Sequence, residues 1–171
     1  MTTVVTGAPR TGTSLILQTM DLLGVPMGMP KFIPEHDNMR QFNPNGFYEI
    51  NSTEGVTDDR YKGKAIKLFG WQLFQSDINL IDKIIFVDRN REDAINSYEK
   101  VRVFLPHSEH SSAEIYDANK KIIEEFIDDD VMRITLEEIK KDSAKFVNNL
   151  ISYLAINPTE EQMNNAIKNI H

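Results

Sequence analysis

The stretch VVTGAPRTGTS, residues 4–14, decides how this chain of 171 residues folds. It opens on two valines, passes through Gly7, Pro9 and Gly12, and ends on hydroxyl residues that lead into a helical pattern. A glycine-rich turn between a buried strand and a helix presents backbone N–H groups at the helix N-terminus, where they bind anions. The stretch therefore predicts a phosphate-binding loop. The alternative is a tight strand-to-helix turn that holds no ligand.

The loop lacks one residue that nucleotide triphosphatases use. Gly7 and Gly12 have the spacing of the loop GxxxxGK[ST], but Thr13 stands where that loop has its lysine. Arg10 provides a cation from inside the loop instead. Such a loop is poorly suited to ATP or GTP hydrolysis, whereas a guanidinium and several amides suit a terminal, singly charged sulfuryl group.

Short apolar runs separated by helical patterns continue along the chain. Four non-alternating runs predict buried parallel strands, at residues 3–6, 65–69, 83–87 and 131–134. Helical patterns cover residues 14–23, follow Asn90, begin at Ser111, cover 146–154 and follow Asn157. Strands that alternate with helices predict an α/β fold. We expect one three-layer, P-loop nucleotide-binding-like domain over residues 1–171, with a mostly parallel sheet of four to five strands.

Composition and charge exclude several classes of protein. A net charge of −7 argues against a general nucleic-acid binder, and the absence of cysteine excludes disulfides and thiolate metal sites. His107 and His110 have no clear third partner, so we predict no metal site. The chain begins MTTVVTGAP without a charged leader, and no run approaches about 18 apolar residues. We therefore expect a cytoplasmic protein that does not contact membranes.

Residues 25–64 interrupt the alternation of strands and helices. This stretch contains four prolines, several glycines and a group of methionines and aromatic residues, without a sustained period. It is too long to be an idle connection. A cap on the acceptor side of a site is one interpretation, and a loop packed over the edge of the sheet is the other.

Two motifs together resemble a known family, the P-loop sulfotransferases. GAPRTGTS resembles their 5′-phosphosulfate loop, written PRSGT[ST] or PKSGTT. FVDRNREDAINSY, residues 86–98, resembles their 3′-phosphate motif, in which an Arg at a strand end precedes a Ser by eight positions; Arg89 and Ser97 have this spacing. An Arg paired with Asp88 or Asp93 is the alternative for the second motif. The resemblance implies the donor 3′-phosphoadenosine 5′-phosphosulfate (PAPS).

The resemblance also implies which residues hold this donor. The donor-binding loop would consist of Gly7, Ala8, Pro9, Arg10, Thr11, Gly12, Thr13 and Ser14. Arg89 and Ser97 would hold the 3′-phosphate, and Arg10 would reach the sulfuryl oxygens. AIKLF is similar to the family's strand ending in KTH, which places Lys67 on the lysine that stabilises the sulfuryl group in flight.

The sequence differs from the cytosolic branch of the family at the catalytic base, the residue that takes the proton from the acceptor. Phe69 stands where that branch has a histidine. NPNGFYE, residues 43–49, resembles an NPxGxxE segment of other members, which makes Glu49 the candidate base. The family's C-terminal basic RKG-type segment has no counterpart in EQMNNAIKNIH, although ITLEEIKKD resembles its YEDL segment.

The resemblance implies sulfuryl transfer to the hydroxyl, or the amine, of a small-molecule or glycan-type acceptor, without a metal. Two alternatives stay open: a P-loop nucleotide or small-molecule kinase, and a non-catalytic nucleotide-binding relative. The sequence sets no oligomeric state, because amphipathic helices show burial without showing whether the partner is the same chain.

Overall fold

A parallel sheet lies at the centre of the computed structural model, which describes residues 1–32, 41–48, 54–104, 109–128 and 130–170. Its four strands are β1 (Thr3–Thr6), β2 (Ala65–Leu68), β3 (Lys83–Asp88) and β4 (Met132–Thr135). They lie in the order β2-β1-β3-β4, and every pairing between neighbours is parallel. The predicted α/β class, with a parallel sheet of four strands, is confirmed.

Helices connect and follow the strands. They are α1 (Thr13–Leu22), α2 (Gly70–Phe74), α3 (Arg91–Arg102), α4 (Ser112–Phe126), α5 (Leu136–Lys141), α6 (Ser143–Leu154) and α7 (Glu160–Asn169), with 3₁₀ turns at Asp59–Tyr61 and Ile78–Leu80. The predicted start of α4 is confirmed by a capping box, in which Ser111 and Glu114 bond reciprocally. The short helices α2 and α5 were not predicted. No helix in the described ranges has the length and apolarity to cross a membrane.

The core has two parts, one on each face of the sheet. Successive residues of a strand point to opposite faces, and Val5 accordingly packs with α1, α6 and α7, while Val4 packs on the other side with α2 and α4. Phe146 of α6 and Leu73 of α2 are among the buried side chains of the two parts. Helices on both faces of a central sheet make the three predicted layers.

The described parts of residues 25–64 include two backbone-paired regions, one along the edge of the sheet and one within the stretch itself. Gly28 N donates to Ala65 O at 2.7 Å, and Ala65 N donates to Pro26 O at 2.7 Å, so the first part runs along the edge of β2. Further on, Phe32 and Phe47 exchange backbone hydrogen bonds of 2.8 and 2.7 Å. Packing over the sheet edge thus describes the first part of the stretch.

Removing a core phenylalanine tests the packing of α6. Phe146 is 2% exposed and Phe74 is 72% exposed. We expect Phe146→Ala to lower the free energy of unfolding by about 3–5 kcal/mol, because it loses transfer energy and leaves a cavity. The matched variant Phe74→Ala should stay within about 0.5 kcal/mol of the wild type. Urea denaturation followed by circular dichroism measures both, and equal losses would contradict the placement of the two rings.

Candidate functional site

The predicted loop opens into a cavity at the carboxyl edge of the sheet. The cavity has a volume of about 360 Å³, and the cationic side chains of Arg10, Lys67, Arg89 and Lys140 line it. Open parallel sheets bind ligands at this edge, beyond the carboxyl ends of their strands. A larger cavity, of about 590 Å³, lies beside β4 and α6 and contains none of the predicted site residues. The smaller cavity is therefore the candidate site.

The backbone at Gly7 lies so close to β3 and to Thr11 that no side chain would fit at this position. A Cβ at this position would lie 2.4 Å from Val87 O and 2.4 Å from Thr11 Oγ1. The Thr11 hydroxyl donates to Ala8 O at 2.9 Å, so it closes the loop from inside. Gly7 therefore lets the loop run directly against the end of β3.

The N-terminus of α1 has the features of an anion site. Gly12 is the N-cap with φ +108°, no side chain caps the helix, and its first turn has no acidic residue. The helices α3 to α7 are instead capped by the side chains of Asn90, Ser111, Thr135, Asp142 and Thr159. Thr13 and Ser14 begin α1 and line the cavity. Their amides and the helix dipole favour a bound anion at this point.

Arg10 joins the loop to two other parts of the site. Its Nε donates to Ser97 Oγ at 3.1 Å, and its Nη2 donates to Phe42 O at 3.2 Å. In turn, Arg89 Nη1 donates to the carbonyl oxygen of Arg10 at 3.2 Å. Arg10 has φ +69°, a left-handed conformation that residues other than glycine rarely adopt. The fold thus brings three predicted residues, Arg10, Arg89 and Ser97, into one set of hydrogen bonds.

Asp88 is held by α4 and not by the Arg89 side chain. Its carboxylate accepts hydrogen bonds from Tyr116 OH at 3.0 Å and from Lys120 Nζ at 2.6 Å. Burial raises the pKa of Asp88, but the hydrogen bonds from Lys120, the Arg89 amide and Tyr116 outweigh it and leave the pKa below its usual value. The alternative of an Arg89–Asp88 side-chain pair therefore does not describe this strand end.

Sequence reasoning missed Tyr116 and Lys120. They are four residues apart on α4, so they share one helix face, and the single hydroxyl hydrogen of Tyr116 is shared between Asp88 and Arg89 O, which lies 3.1 Å away. The spacing alone marks a helix face and does not show that this face meets the end of β3. Both residues position the backbone from which Arg89 leaves the strand.

Lys67 and Phe69 form the other side of the cavity. Lys67 is 8% exposed, and its Nζ lies 4.6 Å from the centroid of the Phe69 ring. A cation over an aromatic face is attracted by the ring quadrupole, so the ring helps to hold the ammonium group in place. Phe69 also lines the cavity, and its ring offers no proton acceptor.

The segment 41–48 forms a wall of the cavity, with Phe42 and Phe47 among its lining residues. Helix α1 fixes this segment, because Gln18 Nε2 donates to Asn43 Oδ1 and to Gly46 O, each at 2.8 Å. Tyr48 OH adds a hydrogen bond of 2.6 Å to Asp21, also on α1.

Two residues of the sequence predictions lie outside the described residues. These are Glu49, the candidate base, and His107, one of the two histidines weighed as metal ligands. Among the described residues, no group of three or more His, Asp or Glu side chains could hold a metal ion.

Comparisons with known proteins agree on the fold. No protein-family model and no curated protein matches the chain. The crystal structure of mouse sulfotransferase SULT7A1 complexed with PAP matches 99% of this chain and 63% of its own, at a TM-score of 0.62 and 17% identity. Retinol dehydratase, in complex with androsterone and inactive cofactor PAP, matches 99% of this chain and 64% of its own, at a TM-score of 0.59 and 14% identity. The chain has the fold of the sulfotransferases and spans slightly less than two thirds of each of these proteins.

Replacing Lys120 tests its bond to Asp88. The two side chains are 31% and 26% exposed. We expect Lys120→Met to lower the free energy of unfolding by about 1–2 kcal/mol at pH 7. Because the pKa of folded Asp88 is lowered, this contribution is present above its ordinary value of 3.8 and is lost as the pH falls through the folded pKa.

Lys121→Met is the matched control for this measurement. Lys121 lies 3.8 Å from Glu125, and the two side chains are 76% and 67% exposed, so the loss should stay within about 0.5 kcal/mol. Urea unfolding of both variants between pH 7 and pH 3 measures the difference. A loss for Lys120→Met that does not shrink at low pH would contradict the role of the Asp88 carboxylate.

Proposed function

We propose that this chain is a PAPS-dependent sulfotransferase, which moves a sulfuryl group from the donor to the hydroxyl, or the amine, of an acceptor. One observation carries the proposal: the loop, Lys67 and Arg89 line a single cavity at the carboxyl edge of a sulfotransferase fold. Because the comparison proteins are longer and distant in sequence, they support the proposal through the fold alone.

In this proposal the loop and α3 bind the donor. The backbone amides of residues 11–14 and the N-terminus of α1 bind the 5′-phosphate. Arg89 and Ser97 bind the 3′-phosphate. The Ser97 oxygen accepts a hydrogen bond from Arg10 Nε, which leaves the hydroxyl hydrogen of Ser97 to donate to a phosphate oxygen.

Two cations act on the group in transfer. Lys67 and Arg10 neutralise charge on the sulfuryl oxygens as the acceptor oxygen bonds to sulfur and the bond from sulfur to the 5′-phosphate oxygen breaks. Lys67 is largely removed from water, and a charge in such a site acts more strongly than one in bulk solvent. By analogy with phosphoryl transfer, positioning and charge stabilisation account for most of the catalysis.

Glu49 takes the acceptor's proton in this proposal. Phe69 cannot accept a proton, so another group is required. Phe47, two residues before Glu49, lines the cavity, and Tyr48 is anchored to Asp21. Of these two residues, Phe47 lines the cavity, and this supports the choice of Glu49.

The acceptor binds against the segment 41–48 in this proposal. Phe42, Phe47 and Phe69 give the cavity an apolar lining beside its cations. A small-molecule or glycan-type acceptor with an apolar or ring-shaped face suits such a wall, because aromatic side chains bury large contact areas.

The kinase alternative has less support. It needs a carboxylate for magnesium at a strand end, and the carboxylate of Asp88 is already bonded to Tyr116 and Lys120. A kinase loop also needs a cation at position 13 for the β and γ phosphates, and this position holds Thr13, which is uncharged and 5% exposed. The non-catalytic alternative makes the same predictions for donor binding, so only a measurement of turnover distinguishes it from our proposal.

Adenosine 3′,5′-bisphosphate (PAP) should raise the melting temperature in the absence of magnesium. A ligand that binds only the folded state stabilises it by mass action, by ~2.7 kcal/mol at a hundredfold excess over its dissociation constant. Differential scanning fluorimetry with PAP, AMP and ATP with magnesium measures the effect. Stabilisation by ATP with magnesium and none by PAP would favour the kinase. Stabilisation by PAP without transfer from labelled PAPS to any acceptor of a panel would favour the non-catalytic relative.

Glu49→Gln should separate catalysis from binding. The substitution keeps the shape of the side chain and removes its basicity, so we expect turnover to fall by roughly 10² to 10⁴ while PAP affinity stays near the wild-type value. Glu54→Gln, five residues further on at an exposed position, is the matched control and should leave both unchanged. Turnover within a few fold of wild type in Glu49→Gln would assign the proton to a different residue.

A further inference from the structure

Cationic residues of the site follow the order of the strands. Lys67 belongs to β2, Arg10 to the loop after β1, Arg89 follows β3, and Lys140 lies on α5, directly after β4. Because the sheet order is β2-β1-β3-β4, each strand, or the segment that follows it, contributes one of these cations along the carboxyl edge of the sheet. With neighbouring strands about 4.8 Å apart, the strand ends span roughly 14 Å.

Lys140 shares a helix face with Leu136, the first residue of α5. The two are four residues apart, and both line the cavity. Leu136 fixes this face, since its Cδ1 would lie 2.9 Å from a Cβ added at Gly12. The cavity face of α5 therefore runs from the loop towards Lys140.

Helix α5 is tied to the Arg89 end of the cavity. Thr135, its N-cap, is the register partner of Asp88 in the pairing of β4 with β3. In addition, Asn90 N donates to Glu137 Oε1 at 3.2 Å, which links the first turn of α5 to the residue after Arg89. The first turn of α5 thus lies at the Arg89 end of the row, opposite Lys67, with the Glu137 carboxylate bonded there, and Lys140 follows one turn further along the same helix.

The charge of Lys140 is available to a ligand. Its side chain is exposed at the cavity, and no ion pair of Lys140 occurs within the described ranges. The next residue, Lys141, lines the other cavity, beside β4. Two adjacent lysines of one short helix therefore face different sites.

We infer that Lys140 is a second cation for the 3′-phosphate of the donor, beside Arg89; the inference rests on the proposed function. A terminal phosphate carries about −1.5 to −2 charges at pH 7, so one guanidinium does not neutralise it. A second cation at the same end of the cavity completes the neutralisation. Lys140 then distinguishes a donor with a 3′-phosphate from one without it.

The test compares Lys140→Ala with Lys141→Ala in binding PAP and AMP, by isothermal titration calorimetry. We expect Lys140→Ala to weaken PAP binding about tenfold and AMP binding by less than about twofold, because only PAP carries the 3′-phosphate. Lys141→Ala should leave both affinities unchanged, and Lys140→Arg should retain the preference for PAP. The loss in Lys140→Ala should shrink at high salt, which screens an exposed cation.

Two further outcomes separate this inference from the proposed function. If the wild type prefers PAP and Lys140→Ala keeps the whole preference, or loses PAP and AMP affinity equally, Lys140 does not bind the 3′-phosphate and the proposed function stands. If the wild type shows no preference for PAP over AMP, the proposed function and the inference both fail. An unchanged melting temperature of unliganded Lys140→Ala shows that the variant is folded.

Discussion

The close approach of Gly7 to the carbonyl oxygen of Val87 is the constraint on which the site depends. Any side chain at this position would push the loop away from β3, and Arg89 leaves the sheet directly after that strand. Only with the loop against the strand end can Arg89 Nη1 reach the carbonyl oxygen of Arg10, at 3.2 Å. The absence of a side chain at Gly7 therefore sets the distance between the predicted subsites for the 5′-phosphate and the 3′-phosphate.

Arg10 extends this constraint into the rest of the cavity. Its guanidinium bonds to Ser97 on α3 and to the Phe42 carbonyl of the segment 41–48, so it joins the proposed 3′-phosphate subsite to the segment against which the acceptor is proposed to bind. A phosphate or sulfuryl oxygen that binds Arg10 competes with these two contacts or adds to them. In the proposed function, donor binding at Arg10 is therefore coupled to the position of the segment 41–48.

The sequence predicted the features that depend on local chemistry. All four strands, the loop after β1 and the capped starts of α3 and α4 follow from apolar runs and from hydroxyl or amide residues at helix starts. The pairing of Asp88 with Tyr116 and Lys120 could not be predicted from the sequence, because residues some thirty positions apart meet only when α4 packs beside β3. The position of Lys140 at the cavity was not predicted either, because α5 is too short for a periodic pattern and its cavity face is set by Leu136 packing at Gly12.

The distribution of charge explains how an acidic chain presents a cationic cavity. The net charge is −7, yet Arg10, Lys67, Arg89 and Lys140 line one cavity at the carboxyl edge of the sheet. A cleft lined by one sign of charge focuses its field, whereas exposed acidic residues elsewhere are screened within about 8 Å at physiological salt. Asp88, the acidic residue next to Arg89, is bonded to Lys120, so its charge offsets little of the positive potential in the cavity. The α4 face that holds Asp88 thus helps to keep the cavity cationic.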